Sequence, residues 1–183
     1  MWEVLDEYAT SIALHKEFWE KEVVKDGVSD NPKIAGLYQI AKENGIDIYE
    51  NCPQKIIGMA AKYTNEKPFI GLCKFDSNRS NMLYDEERKR WYGKLEVFAH
   101  EIGHCLTDSF YYGKESNSAL ICTQEAKADI WAFEYVLPFE ELCEAVKSGC
   151  DSYPSLMRHF CVSRQFIQNA IYYYAAQNKF IYP

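Results

Sequence analysis

Histidine is scarce in this chain, with 4 residues in 183, and the 7 cysteines never occur as a C-x-x-C pair. Cys52, Cys73, Cys105, Cys122, Cys143, Cys150 and Cys161 are odd in number and widely scattered, so neither paired thiolates nor a disulfide framework organises the fold. Reduced structural thiols in a cytoplasm are the expectation. The opening Met1-Trp2-Glu3-Val4-Leu5-Asp6-Glu7 lacks the basic segment and continuous apolar run of a secretory signal, and no stretch approaches the length of a membrane span. Positive charge is also in short supply, 20 Lys and Arg against 27 Asp and Glu, for a net charge of -7 and a pI near 5.2. That balance argues against a surface built to hold DNA, RNA or anionic lipid by bulk electrostatics, and leaves a protein as the expected partner.

What the chain does have is enough apolar material for a core, 48% of 183 residues, in the size range of one domain or a compact domain with appendages. Trp2, Leu5, Ala9, Ile12, Trp19 and Val23 follow helical spacing and predict an amphipathic helix over residues 2–23. Its His15 has no ligand-type residue at helical spacing. Ser29-Asp30-Asn31-Pro32 offers caps and a first-turn proline for a second helix, which carries Ile34, Leu37, Tyr38 and Ala41 inward and stops at Asn44-Gly45. Three strands are expected next, around Ile46-Asp47-Ile48-Tyr49, over residues 55–64, and over residues 67–75, with Asn65-Glu66 as a hairpin turn. Pro68 is tolerated best at a sheet edge, where an extended peptide could add as another strand; a plain structural sheet fits the same pattern.

Residues 76–83 read as a polar loop. Asp85-Glu86-Glu87 suits the positive end of a helix, predicted over residues 85–108, with Arg88-Lys89-Arg90 as its solvated start. Trp91, Leu95, Phe98, Ile102 and Cys105 would form its apolar stripe, and His100 and His104 fall nearly opposite. These histidines belong to Val97-Phe98-Ala99-His100-Glu101-Ile102-Gly103-His104, an HExxH sequence. Residues four apart stack on one helical face, so both imidazoles can reach one metal ion beside a glutamate.

A catalytic zinc needs a third protein ligand and an open position. Thr107 and Phe110 stand where the longer HExxHxxGxxH pattern would place glycine and the third histidine, so the ligand must come from further along. Glu125 and Asp129 share a face of a helix that Pro138 ends. Glu125 is the candidate ligand, and Asp129 is placed to accept the free N–H of a ligand histidine; an exposed acidic face is the alternative. Small Ala128 and Ala132 would let two helices approach closely. Tyr111, Tyr112, Tyr153 and His159 are candidate donors to an oxyanion.

From Phe98-Ala99-His100-Glu101-Ile102-Gly103-His104 to Glu125-Ala126-Lys127-Ala128-Asp129-Ile130-Trp131-Ala132, and on to Val136-Leu137-Pro138, the chain resembles the ImmA/IrrE metallopeptidases. Trp131 stands where that family usually has Phe, and Val136-Leu137-Pro138 where Leu-Met-Pro is common. The resemblance implies Zn2+ held by His100, His104 and Glu125, with Glu101 as the catalytic carboxylate. It further implies a cytoplasmic endopeptidase acting on a protein, a helix-turn-helix transcriptional repressor of a phage, mobile element or stress regulon. A non-proteolytic antirepressor or toxin-like binding module that retains the zinc site is the second possibility.

Residues 140–146 continue helical, and residues 156–160, 161–163 and 164–176 read as helix, tight turn and helix, with Ser163 as N-cap. DNA contact through this segment is a third possibility, weakened by its few cations, Arg158, Arg164 and Lys179. The expected fold is α+β: a small, mostly antiparallel three-stranded sheet packed on the zinc-binding helices, with a helical C-terminal subdomain. In segments, residues 1–30 would be the N-terminal helix, 31–140 the metallopeptidase-like core, and 141–183 the helix-turn-helix-like subdomain.

Overall fold

In the computed structural model, which describes residues 31–52, 57–62, 66–75, 82–86, 89–111 and 117–179, the first helix starts where the sequence offers a cap. The Asn31 side chain accepts from the Lys33 and Ile34 N–H groups, Pro32 occupies the first turn, and helix α1 runs Pro32–Glu43. Gly45, at φ 65, turns the chain out of it, a conformation glycine adopts without steric cost. The helix expected over residues 2–23 lies outside the described residues.

Strands β1 (Asp47–Cys52), β2 (Gly58–Ala61) and β3 (Phe69–Cys73) form a sheet in the order β1-β3-β2. The β1–β3 pair is parallel, with Ile48 opposite Ile70, and the β2–β3 pair is antiparallel, with Ala60 opposite Ile70. The sheet is therefore evenly mixed, not mostly antiparallel. β3 is its central strand, not an edge, and cannot accept a peptide by strand addition. Pro68 does not conflict with this, because it precedes the strand and only its carbonyl is used, accepting from the Asp47 N–H. Every β3 residue is buried: Ile70 and Leu72 are fully covered, and Phe69 meets Tyr49 edge to face at 5.9 Å. Seven residues separate β2 from β3, so a two-residue turn at Asn65-Glu66 does not join them; Asn65 itself is outside the described residues.

The helix expected over residues 85–108 begins nine residues later. Strands β4 (Met82–Asp85) and β5 (Arg90–Gly93) occupy its first part as an antiparallel hairpin, and helix α2 runs Lys94–Leu106. Trp91 sits four residues before Leu95 and so mimics a helical stripe. Its ring instead lies on Tyr84, its cross-strand partner, with centroids 5.2 Å apart, and it is 42% exposed. Asp85 faces Arg90 in the same register, the Arg90 guanidinium covers Tyr92 at 4.1 Å, and Lys89 takes a left-handed φ of 51 in the turn. Cross-strand pairs of this kind contribute about 0.2–1 kcal/mol each, enough together to outweigh a helical preference in a short polar stretch.

Helix α3 runs Ser118–Val136 and α4 Phe139–Lys147, separated at Pro138. Helix α5, Tyr153–Phe160, opens on a capping box at Ser152 and Ser155, and Cys161 at φ 56 closes it. Ser163 then caps α6, Arg164–Ala176, accepting from the Phe166 N–H at 3.2 Å. The helix, tight turn and helix expected at this end are thus present. Of the three consecutive tyrosines only Tyr174 is buried, donating to the Leu137 carbonyl at 2.8 Å, while Tyr172 is exposed.

Among the described residues the fold is α+β, with six helices and sheets of three and two strands, and no helix long and apolar enough to cross a membrane. They divide into two compact units. One takes its described residues from Met1–Lys74 and Glu101–Ala128, with a core that includes Leu37, Ile70, Leu72 and Ile102. The other takes its own from Phe75–His100 and Asp129–Pro183, around Phe98, Val136, Leu137, Leu142 and Ile167.

In the second unit Glu96 is buried, and its Oε2 accepts from the Ser163 N–H at 2.6 Å, joining the first turn of α2 to the cap of α6. Burial pushes this carboxyl up from 4.5 to about 6, against the lowering effect of hydrogen bonds from Ser163 and Gly93. The native state therefore holds the proton more tightly than the unfolded chain, and stability falls as pH rises from about 4.5 to about 6. Glu96→Gln keeps an acceptor for Ser163 and removes the titration. Urea unfolding at pH 4.5 and 7 is expected to show the wild type losing about 2 kcal/mol more than the variant between the two.

Candidate metal centre

Helix α2 is buried around most of its circumference. Leu95, Phe98, Ala99 and Ile102 are at most 2% exposed, and three polar residues, Glu96 at 4%, Glu101 at 7% and His104 at 6%, are buried with them. Polar groups are kept in such places when they are partnered or have a chemical task. The crossing of α2 with α3 is close: a Cβ at Gly103 would lie 2.7 Å from the Ala128 carbonyl oxygen and 3.0 Å from its Cα. The missing side chain at Gly103 permits this approach to the α3 backbone.

His100, His104 and Glu125 each offer one ligand atom, and these atoms all lie within 4.8 Å of one another. Nδ1 of His100 donates to Asp129 Oδ1 at 2.8 Å, the arrangement the spacing of Glu125 and Asp129 predicts. Nδ1 of His104 lies 2.8 Å from the Ser109 carbonyl and 3.0 Å from its hydroxyl. A carbonyl only accepts, so this nitrogen carries a proton, and in the neutral ring Nε2 holds the lone pair. Both histidines thus present Nε2 with the other nitrogen anchored, as metal-ligating histidines usually do. His104 Nε2 sits 3.4 Å from Glu125 Oε1. Two ligands about 2.0–2.1 Å from a tetrahedral zinc lie about 3.3 Å apart, so this pair is spaced as one edge of such a site. Two histidines and a carboxylate are also a donor set that zinc accepts, and the residues present therefore fit the metal.

Tyr111 donates to Glu125 Oε1 at 2.7 Å, and its ring stands edge-on to His104 with centroids 6.2 Å apart. Burial first, then its bond to Glu125 and the nearby negative charges, hold this phenol well above its usual range, so it remains a donor at neutral pH. The structure therefore gives Tyr111 a bond to the candidate ligand carboxylate. Tyr112 lies outside the described residues. Tyr153 carries the Arg164 guanidinium over its ring at 4.8 Å, and exposed His159 packs edge-on against Phe160. Burial, then the charge of Glu101, pushes the Cys105 thiol up to about 12. Ser109, which holds the His104 ring, is the residue the sequence reading misses.

No protein-family model, curated protein or solved structure matches this chain.

Proposed function

We propose that the chain is a zinc-dependent endopeptidase that cleaves a protein substrate. The observation that carries this reading is the convergence of His100, His104 and Glu125 within 4.8 Å, next to a buried Glu101 on the same helix as the histidines. A zinc ion there would supply Lewis acidity, polarising a peptide carbonyl and lowering the pKa of a coordinated water to about 7. The protein's own residues do the rest. Asp129 and Ser109 orient the two imidazoles, and Glu125 completes a set of two neutral donors and one anionic donor. Glu101, adjacent in sequence to His100 and screened from bulk water, is the group that takes up the proton of the attacking water and returns it to the leaving amine.

The substrate class rests on the resemblance of the two motif helices to the ImmA/IrrE metallopeptidases. On that basis we assign as substrate a cytoplasmic helix-turn-helix repressor, released from its operator by limited cleavage. The first test is elemental analysis of protein purified without added metal. About one zinc per chain is expected. Protein that takes up no zinc even when the metal is supplied during refolding would end the proposal.

A further inference from the structure

We infer that residues 107–111, the turn that follows α2, are a positioning clip that presets two of the three ligands, His104 and Glu125, before metal arrives. The inference rests on the metal-centre reading above. The clip is a product of backbone geometry. α2 ends at Leu106, and Asp108 takes a left-handed φ of 49, which Asp tolerates better than most residues. The chain thereby doubles back, so that the Ser109 N–H donates to the His104 carbonyl at 3.0 Å while the Ser109 carbonyl accepts from the His104 ring. Ser109 has no solvent exposure.

Thr107 Oγ1 donates toward the Gly103 carbonyl and toward Ser109 Oγ, each at 2.8 Å, which ties the Ser109 side chain to the last turn of α2. The Ser109 carbonyl can only accept, so His104 Nδ1 carries a proton, and the neutral ring takes the one tautomer whose Nε2 bears the lone pair.

Two residues further on, Tyr111 reaches the other ligand. Its hydroxyl donates to Glu125 Oε1, the same oxygen that stands 3.4 Å from His104 Nε2. One short segment thus fixes the tautomer of one ligand and the rotamer of another. Side chains locked in this way need less ordering when a ligand binds, and losing a partner of this kind typically lowers metal affinity about 10–100-fold.

The test uses the full chain as wild type, Tyr111→Phe and Ser109→Ala. Three measurements are made: zinc affinity by competition with a chromogenic chelator, the visible absorption of the cobalt(II)-substituted protein, and the thermal midpoint of the metal-free form. Tyr111→Phe is expected to bind zinc about 10–100-fold more weakly and to shift the cobalt bands, with the metal-free midpoint unchanged. Ser109→Ala is expected to lose affinity in the same direction. If its buried site does not tolerate the change, Tyr111→Phe carries the test alone. Wild-type zinc binding together with Tyr111→Phe affinity within about threefold of it overturns the clip and leaves the metal centre standing. A wild type that takes no zinc removes both.

Discussion

Glu101→Gln is expected to retain about one zinc per chain while its cleavage of a repressor substrate falls by about 10²–10⁴-fold, the usual worth of a positioned general base. Glutamine matches the glutamate in shape, so the packing around α2 is preserved, but it cannot take a proton from water. Glu101 is not among the three ligand residues, which is why metal content and cleavage should separate in this variant. The measurement pairs elemental analysis with single-turnover cleavage of a purified helix-turn-helix repressor, read by gel and mass spectrometry. Undiminished cleavage would falsify the assigned role. If the variant instead released an intact repressor from DNA, the protein would act by stoichiometric contact, and the buried carboxylate would serve the fold.

Removing the third ligand should have the opposite signature. With Glu125→Ala, two histidines remain and the anionic donor is gone. A zinc site worth about 10–16 kcal/mol over four positions loses about 3–4 kcal/mol with one protein ligand, or roughly a thousandfold in affinity. The consequence extends to stability. At a thousandfold excess over its dissociation constant, a metal that binds only the folded state contributes about 4 kcal/mol, which for a chain of this size is a thermal shift of roughly 10 °C. A chelator is therefore expected to lower the wild-type midpoint by that order and to leave the Glu125→Ala midpoint unchanged. Equal responses in the two proteins would mean that Glu125 is not a ligand.

The site residues were legible because helical spacing converts directly into shared faces. Histidines four apart fall on one face, as do Glu125 and Asp129, and the structure brings the two faces together, with His100 on Asp129 and His104 beside Glu125. The same reasoning failed at the hairpin of Met82–Asp85 and Arg90–Gly93, where a cross-strand aromatic pair imitated a helical repeat. It also misplaced Phe69–Cys73. There the continuous apolar run, typical of a strand buried on both faces, was better evidence of a central position than Pro68 was of an edge. Strand order is set by which partners cover both sides of β3, and local periodicity does not encode it. Ser109 escaped notice because its strongest contact with His104 is made by a backbone carbonyl, placed there by a left-handed turn at Asp108. A backbone acceptor leaves no residue-type signature in a sequence.

The crossing at Gly103 constrains how this protein can vary. What a Cβ at that position would meet is the carbonyl oxygen and Cα of Ala128, atoms that every amino acid at 128 possesses. No exchange at position 128 can therefore compensate for a larger residue at 103, and the two sites cannot drift as a complementary pair. A side chain at 103 can be accommodated only by a shift of the α3 backbone itself.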